Sequence, residues 1–154
     1  MSDKQEPSAE FSYELKIPEE RIAVLIGASG ETKKEIERET KCKLDISKEG
    51  DVMISGDDGL MLFTAREIVR AVGRGFNPKV ALLLLKPDYA LEMIDMSEIA
   101  GKNKNVMERL KGRVIGTAGK SRAEIEHLTD CSISVYGKTI GIIGEDSKVA
   151  VARQ

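Results

Sequence analysis

The chain has 154 residues, of which 41% are hydrophobic and 32% are charged, and its formal net charge is −2 at pH 7. This composition suits a globular protein of one ordinary domain or two small ones, and no apolar run approaches the roughly 18 residues that span a bilayer. The slightly acidic balance excludes indiscriminate nucleic-acid binding, which needs a broadly basic surface, but it allows a local basic groove.

The first predicted elements follow a polar N-terminal stretch. Residues 1–9 lack the apolar core of a signal peptide, so we expect a disordered segment at the start of a cytoplasmic protein. Residues 11–17 alternate apolar and polar side chains, which is typical of a half-buried strand. Pro18 suits the first position of a short helix, which Gly27 ends. A second helix is predicted over residues 31–41.

A hairpin and a longer helix complete the first predicted domain. Residues 43–47 and 52–55 are the expected strands of the hairpin. The amphipathic pattern of residues 60–72 then predicts a helix, and a further short helix is expected over residues 78–85. We therefore place the first domain at residues 10–86, with this short helix as a C-terminal addition.

The same order of elements starts again in residues 87–154, which we assign to a second domain. Its predicted elements are a strand at 91–96, a helix at 106–111 after an N-cap at Asn105, a helix at 120–129, and a hairpin of strands 132–136 and 139–143. The sequence ends soon after Asp146 and Ser147, which are candidate N-caps of a last helix. We expect that helix to be truncated.

The two domains are related by an internal repeat. A shift of 89 residues, from 27 to 116, places Gly27 on Gly116 and Gly30 on Gly119. In the same register the identical pairs are Ile26 and Ile115, Glu35 and Glu124, Ile36 and Ile125, Glu37 and Glu126, Thr40 and Thr129, and Cys42 and Cys131. Chance does not plausibly produce such a run without a gap, so the chain is a tandem of two related domains.

Each copy carries an Ile-Gly-x-x-Gly turn between two helices, with a strand before them and a hairpin and helix after them. This arrangement resembles the K-homology (KH) domain in its type I, strand-first form. The resemblance implies an α+β fold of two tandem type I KH domains (βααββα), each a three-stranded sheet with helices on one face. It also implies binding of single-stranded RNA, about four nucleotides per domain, with the Gly-x-x-Gly loop on the backbone.

A narrower resemblance rests on the pairing of the domains and on two stretches, residues 112–116 (Gly-Arg-Val-Ile-Gly) and 135–139 (Val-Tyr-Gly-Lys-Thr). These resemble the archaeal relatives of the small-subunit rRNA-processing factors of the Dim/Pno and Krr type. Membership would imply binding near the 3′ end of small-subunit rRNA during ribosome maturation.

Charge distinguishes the two copies. Five cations and no acid lie between Arg109 and Arg122, whereas the charges in the equivalent stretch from Glu20 to Lys33 sum to zero. The second domain is therefore the predicted main RNA clamp. Its predicted RNA-binding residues are Arg113, Ile115, Gly116, Thr117, Ala118, Gly119, Lys120, Arg122, Ile133 and Val135. The secondary set, in the first domain, is Arg21, Gly27, Ala28, Ser29, Gly30, Lys33 and Lys34.

Bases are expected to lie on an apolar floor formed by Ile115, Ile133 and Val135 and the helix after the loop. Tyr136 is the sole aromatic residue nearby in the sequence, so stacking on rings should contribute little. The middle loop residues of both copies are small and uncharged, where many KH loops carry Lys or Arg.

Other interpretations of these features are open or disfavoured. The basic run could be a solvated face, and the paired cysteines suit small core positions rather than a disulfide or metal site. Residues 116–121 resemble the end of a Walker A loop, but Val114 stands where that motif needs glycine. His127 has no nucleophile and carboxylate set around it, so we predict no enzyme, no cofactor and no metal.

The alternative function is a protein-interaction scaffold that docks a ribosomal or translation factor with little RNA binding of its own. Substituting Gly116→Asp plus Gly119→Asp should separate the two hypotheses. For an RNA-binding protein, affinity for short single-stranded RNA should fall sharply while the fold stays intact.

Overall fold

The computed structural model describes residues 11–100, 103–116 and 119–153, and for Ile99 and Ala100 it describes the backbone alone. Contacts divide the chain into two compact units, Met1–Gly73 and Arg74–Gln154. Each unit contains one three-stranded antiparallel sheet with helices. The expected tandem of two α+β domains is confirmed. None of the helices in the described residues is long and apolar enough to cross a membrane.

The first unit has the strand order β1-β3-β2. Its elements are β1 (Phe11–Lys16), α1 (Ile22–Ile26), α2 (Glu31–Thr40), β2 (Lys43–Ile46), β3 (Asp51–Gly56) and α3 (Gly59–Gly73). Val52 and Ile54 of β3 are buried while Asp51 and Met53, which alternate with them, are exposed, so one face of this sheet carries the core. The predicted hairpin and helices are thus present.

The entry to the first helix differs from the expected form. Pro18 is extended (φ −60°, ψ 142°), and a 3₁₀ turn, Glu19–Arg21, precedes α1. Pro18 therefore caps the turn instead of occupying the first helical position. At the other end of the pair, α2 stops at Thr40 because Lys41 adopts a left-handed conformation (φ 56°).

The second unit has the strand order β4-β6-β5. Its elements are α4 (Pro78–Ala81), a 3₁₀ turn (Leu82–Leu85), β4 (Tyr89–Asp95), α5 (Ser97–Ala100), α6 (Lys104–Ile115), α7 (Lys120–Thr129), β5 (Ser132–Tyr136), β6 (Thr139–Glu145) and α8 (Asp146–Arg153). The last helix has eight residues, where α3 of the first unit has fifteen.

Helix α6 begins earlier than the sequence predicted. The side-chain oxygen of Asn103 accepts hydrogen bonds from the N–H groups of Asn105 and Val106, at 2.9 and 3.2 Å. Asn103 is therefore the N-cap, and the assignment of that role to Asn105 was wrong. The helix continues without a break to Ile115, so Arg113 and Ile115 lie on its last turn.

Residues 74–76 pack against the second sheet, which explains why they belong to the second unit. Arg74 donates hydrogen bonds to the hydroxyl of Thr139 (3.0 Å) and the carbonyl of Tyr136 (3.1 Å). Phe76 is 3% exposed and approaches Gly141 so closely that a Cβ there would lie 2.6 Å from its ring. Residues 141–144 are consequently all buried, unlike the alternating β3. The division falls before α4, which the sequence assigned to the first domain.

The internal repeat holds at the level of single hydrogen bonds. The hydroxyl of Thr40 donates to the carbonyl of Ile36 at 2.7 Å, and that of Thr129 to Ile125 at 2.6 Å. Cys42 and Cys131 are both buried free thiols, as expected of small core residues. At these two pairs of positions, identity between the copies marks contacts within each domain.

Candidate nucleic-acid interface

The two Gly-x-x-Gly turns share one backbone conformation at their glycines. Gly27 has φ 80° and ψ 172°, and Gly116 has φ 72° and ψ 179°. Gly30 and Gly119 are left-handed, with φ of 76° and 77°. Within the first turn Ala28 lies in a short 3₁₀ segment with Ser29 at φ 55°, whereas Thr117 and Ala118 of the second turn lie outside the described residues.

The first glycine of each turn is required by the close approach of the following helix. A Cβ at Gly116 would lie 2.6 Å from the backbone nitrogen of Ser121, and one at Gly27 would lie 2.8 Å from that of Thr32. Gly119 has no described atom within 4 Å of such a Cβ. The fold therefore cannot be expected to tolerate Gly116→Asp. Gly119→Asp alone is the cleaner perturbation of the loop.

The turns present the start of a helix to solvent. Gly30 and Gly119 are the N-caps of α2 and α7, and neither helix start has a side-chain cap. Uncapped N–H groups and the positive end of the helix dipole favour an anion such as phosphate. The first residue of α7 is the exposed Lys120, whereas that of α2 is Glu31, whose charge would oppose a phosphate.

Two of the three predicted cations of the first unit have partners. Lys33 forms an ion pair with Glu37 at 3.7 Å, and the Nε of Arg21 donates to the carbonyl of Val72 at 2.9 Å. Arg21 thus holds α3, the last helix of its domain. Lys34 is exposed and makes no ion pair with a described residue.

The predicted cations of the second unit are exposed, and their charges are not neutralised by any described residue. Arg113, Lys120 and Arg122 form no ion pair with any residue that the structure describes. Arg113 and Arg109 lie one helical turn apart and line a cavity of about 580 Å³ along α6. Positive charge in this unit is therefore available to a ligand beside the loop.

The predicted apolar floor is only partly exposed. Ile115 is 37% exposed and Val135 is half-buried, but Ile133 is 6% exposed and packs in a core cluster with Ile142 and Val149. Its side chain contributes to the core instead of offering surface to a base. Ile115 and Val135 are the floor residues that a base could contact.

Tyr136 lies on the opposite face of the second sheet from Ile133. The guanidinium of Arg74 lies 5.0 Å from the centre of its ring, and Ser134, on the same face, donates to the carbonyl of Arg74. The ring is therefore directed away from the predicted floor. Side chains alternate along a strand, so the odd spacing between Ile133 and Tyr136 was a signal that could have shown this from sequence.

Sequence reasoning missed one polar residue at the floor. The Oε2 of Glu126 on α7 accepts a hydrogen bond from the N–H of Ile133 at 2.7 Å, and Glu37 accepts one from Leu44 at 2.8 Å. Glu37 and Glu126 are identical in the repeat, but the sequence does not show that each carboxylate accepts a hydrogen bond from a strand. Among the described residues no group of three or more His, Cys, Asp or Glu could hold a metal.

Two family models match the chain. The one described as "Eukaryotic type KH-domain (KH-domain type I)" covers residues 90–154, and the one described as "KH domain" covers residues 12–71. A curated relative, the KH domain-containing protein MJ0443 of Methanocaldococcus jannaschii, is 50% identical over 144 residues. The match covers 91% of this chain and 63% of that relative, so the chain spans less than two thirds of it.

Solved structures from Pyrococcus horikoshii are also similar. Dim2p is 42% identical with a TM-score of 0.85, and the match covers 93% of this chain and 86% of that chain. The structure described as an a/eIF2alpha-aDim2p-rRNA complex contains a chain that is 43% identical with a TM-score of 0.87. That match covers 94% of this chain and 82% of that one.

Proposed function

The chain belongs to the family of KH-domain RNA-binding proteins, and we propose that it binds single-stranded RNA mainly through its second domain. One observation carries this assignment. At the second loop the cations Arg113, Lys120 and Arg122 are exposed without ion pairs to described residues, whereas Lys33 of the first loop is paired with Glu37. A phosphate therefore meets net positive charge at one loop and a largely compensated charge at the other.

The proposed mechanism follows from the position of the loop. A backbone phosphate lies over Gly116 and Gly119, against the uncapped start of α7, with Lys120 and Arg122 on its first turn. Thr117 and Ala118 complete the loop in this proposal. Bases then lie towards Ile115 and Val135, where contacts with backbone and aliphatic groups replace ring stacking.

We further propose that the RNA is small-subunit rRNA near its 3′ end and that the protein acts in ribosome assembly or rRNA processing. Similarity to Dim2p and to a complex that contains rRNA supports this choice. The KH fold alone supports single-stranded RNA without choosing one.

Fluorescence anisotropy with short RNAs tests the proposal. The full chain should bind oligonucleotides of the rRNA 3′ end more tightly than unrelated sequences, with log K falling as log salt rises. Lys120→Ala and Arg122→Ala should each weaken binding and reduce the salt slope by about 0.7, the value for one phosphate contact on a single strand. Lys33→Ala is the matched control and should change little. Absence of binding by the wild type at low salt would refute the proposal.

A second candidate function is docking of a protein partner through the first domain. Phe11, Tyr13 and Phe63 are 50%, 41% and 47% exposed, and the guanidinium of Arg66 lies 5.2 Å from the centre of the Tyr13 ring. Tyr13 pairs with Ile54, which stands two residues before Gly56 in its strand. In the second sheet Ile142 stands two residues before Gly144, which approaches Cys131 as Gly56 approaches Cys42, and Ile142 pairs with Glu92. The fold therefore does not require an aromatic residue at this position.

The complex that contains a/eIF2alpha suggests a translation factor as the partner in this second candidate. Calorimetry with purified a/eIF2alpha tests it, with Tyr13→Ser and Phe63→Ser as the perturbations. Both variants should lose protein binding and keep RNA binding. Unchanged affinity for the factor in both variants would rule out this surface.

A further inference from the structure

Strand β5 offers an open edge beside the second loop. It is the last strand in the order β4-β6-β5, so one side of its backbone has no neighbouring strand. The N–H of Ile133 points to that side, because it donates to Glu126 at 2.7 Å instead of to β6. Val135, two residues further on, directs its backbone groups the same way. The Glu126 carboxylate therefore lies at the open edge of β5, the strand whose Val135 the bases contact in the proposed function.

The two copies differ in the ion pairing of this carboxylate. Glu37 makes the same bond to Leu44 at 2.8 Å and is also paired with Lys33. Glu126 is partly exposed and forms no ion pair with a described residue, although Arg122 occupies the place of Lys33 in the repeat. A carboxylate accepts several hydrogen bonds and donates none. Glu126 thus retains acceptor capacity at the floor of the site, beyond the bond to Ile133.

We propose that Glu126 determines base preference at the nucleotide beside Ile133, favouring a base with an amino group over uracil; this rests on the proposed function of the second domain. Adenine, cytosine and guanine each present an amino group that can donate to the carboxylate. Uracil presents one N–H between two carbonyl oxygens, and the negatively charged carboxylate repels those oxygens. The bond to Ile133 fixes the carboxylate at the strand edge, so the acceptor is already positioned when RNA arrives.

The test measures affinity for short RNAs in which a single nucleotide is varied through all four bases, one position at a time. At one position the wild type should bind the uracil form at least about fivefold more weakly than the best base, the lower limit for a good specific contact. Glu126→Gln keeps an oxygen for the N–H of Ile133 and adds an amide donor for a uracil carbonyl. It should therefore bring the uracil form to within twofold of the others, or reverse the order.

Two controls make the outcome decisive. Glu37→Gln alters the same bond in the first domain and should leave the base profile unchanged. For an RNA with an abasic nucleotide at the sensitive position, Glu126→Gln should change the affinity only by the factor that comes from removing a negative charge near the phosphates, because no base is left to contact residue 126. If the wild type binds RNA but Glu126→Gln has the same base profile, this inference is refuted and the proposed function stands. If the wild type binds no RNA, the proposed function itself fails.

Discussion

The two glycines of the second loop should respond differently to the same substitution. Gly116→Ala places a Cβ 2.6 Å from the backbone nitrogen of Ser121, in a conformation (φ 72°, ψ 179°) that is almost restricted to glycine. The backbone strain costs about 1–3 kcal/mol and the overpacking costs about 1–3 kcal/mol more. Gly119→Ala meets no described atom within 4 Å, so its cost is the left-handed conformation alone, about 1–2 kcal/mol.

Hydrogen exchange of the full chain across a urea series measures this difference, because it reports the opening free energy of each unit separately. Gly116→Ala should lower it for the second unit by about 2–6 kcal/mol and leave the first unit unchanged. Gly27→Ala should produce the mirror-image result, since its Cβ would meet Thr32. Equal destabilisation by Gly116→Ala and Gly119→Ala would show that packing against Ser121 is not what requires the first glycine.

Three further predictions concern charge, burial and the unit boundary. Arg74→Ala should destabilise the second unit by about 1–3 kcal/mol in the same exchange experiment, because the carbonyl of Tyr136 loses a charged hydrogen-bond donor. An effect on the first unit alone would contradict the division after Gly73. Burial, aided by the nearby charges of Asp58 and Asp57, raises the pKa of the Cys42 thiol, so alkylation of Cys42 at pH 8 should be slower than that of an exposed cysteine. Mass spectrometry that finds an equal rate would disprove this. Lys120→Glu gives the second loop the acid of the first at this position, and it should weaken RNA binding in anisotropy more than Lys120→Ala does; equal affinities would disprove a phosphate contact there.

The sequence predicted the elements best where the repeat constrained them. The glycines of the turns, the helix at residues 120–129 and both hairpins were each seen twice, the second hairpin strand after a one-residue slip, and all of them are present among the described residues. The boundary between the units had no such support. Phe76 and the leucines after it are apolar enough to pack on either neighbour, and only the structure shows Phe76 over Gly141. The predicted start of α6 was wrong because Asn103 and Asn105 are equally good N-caps in sequence.

The exposed cations and the glycine loop of the candidate site could be predicted from the sequence, but the burial of part of its apolar floor could not. Exposed cations follow from composition and spacing, because lysine and arginine rarely bury their charge. The direction of a side chain follows from strand register, and this separates Ile133 from Tyr136 by face and commits Ile133 to the core. The bond between Glu126 and Ile133 joins a helix to an edge strand, so only the folded domain brings its two ends together.

Comparison of the two copies separates what maintains the fold from what serves the ligand. Several identical positions make the same internal contacts twice, as Thr40 and Thr129 do with their helices. One position that diverges is the first residue of the helix after the loop, which is Glu31 in one copy and Lys120 in the other. Glu126 is an identical position whose surroundings differ between the copies. Its bond to Ile133 repeats that of Glu37, but its carboxylate lacks the lysine that neutralises Glu37. In our proposal this unpaired carboxylate is what allows a residue of the shared framework to contact a base.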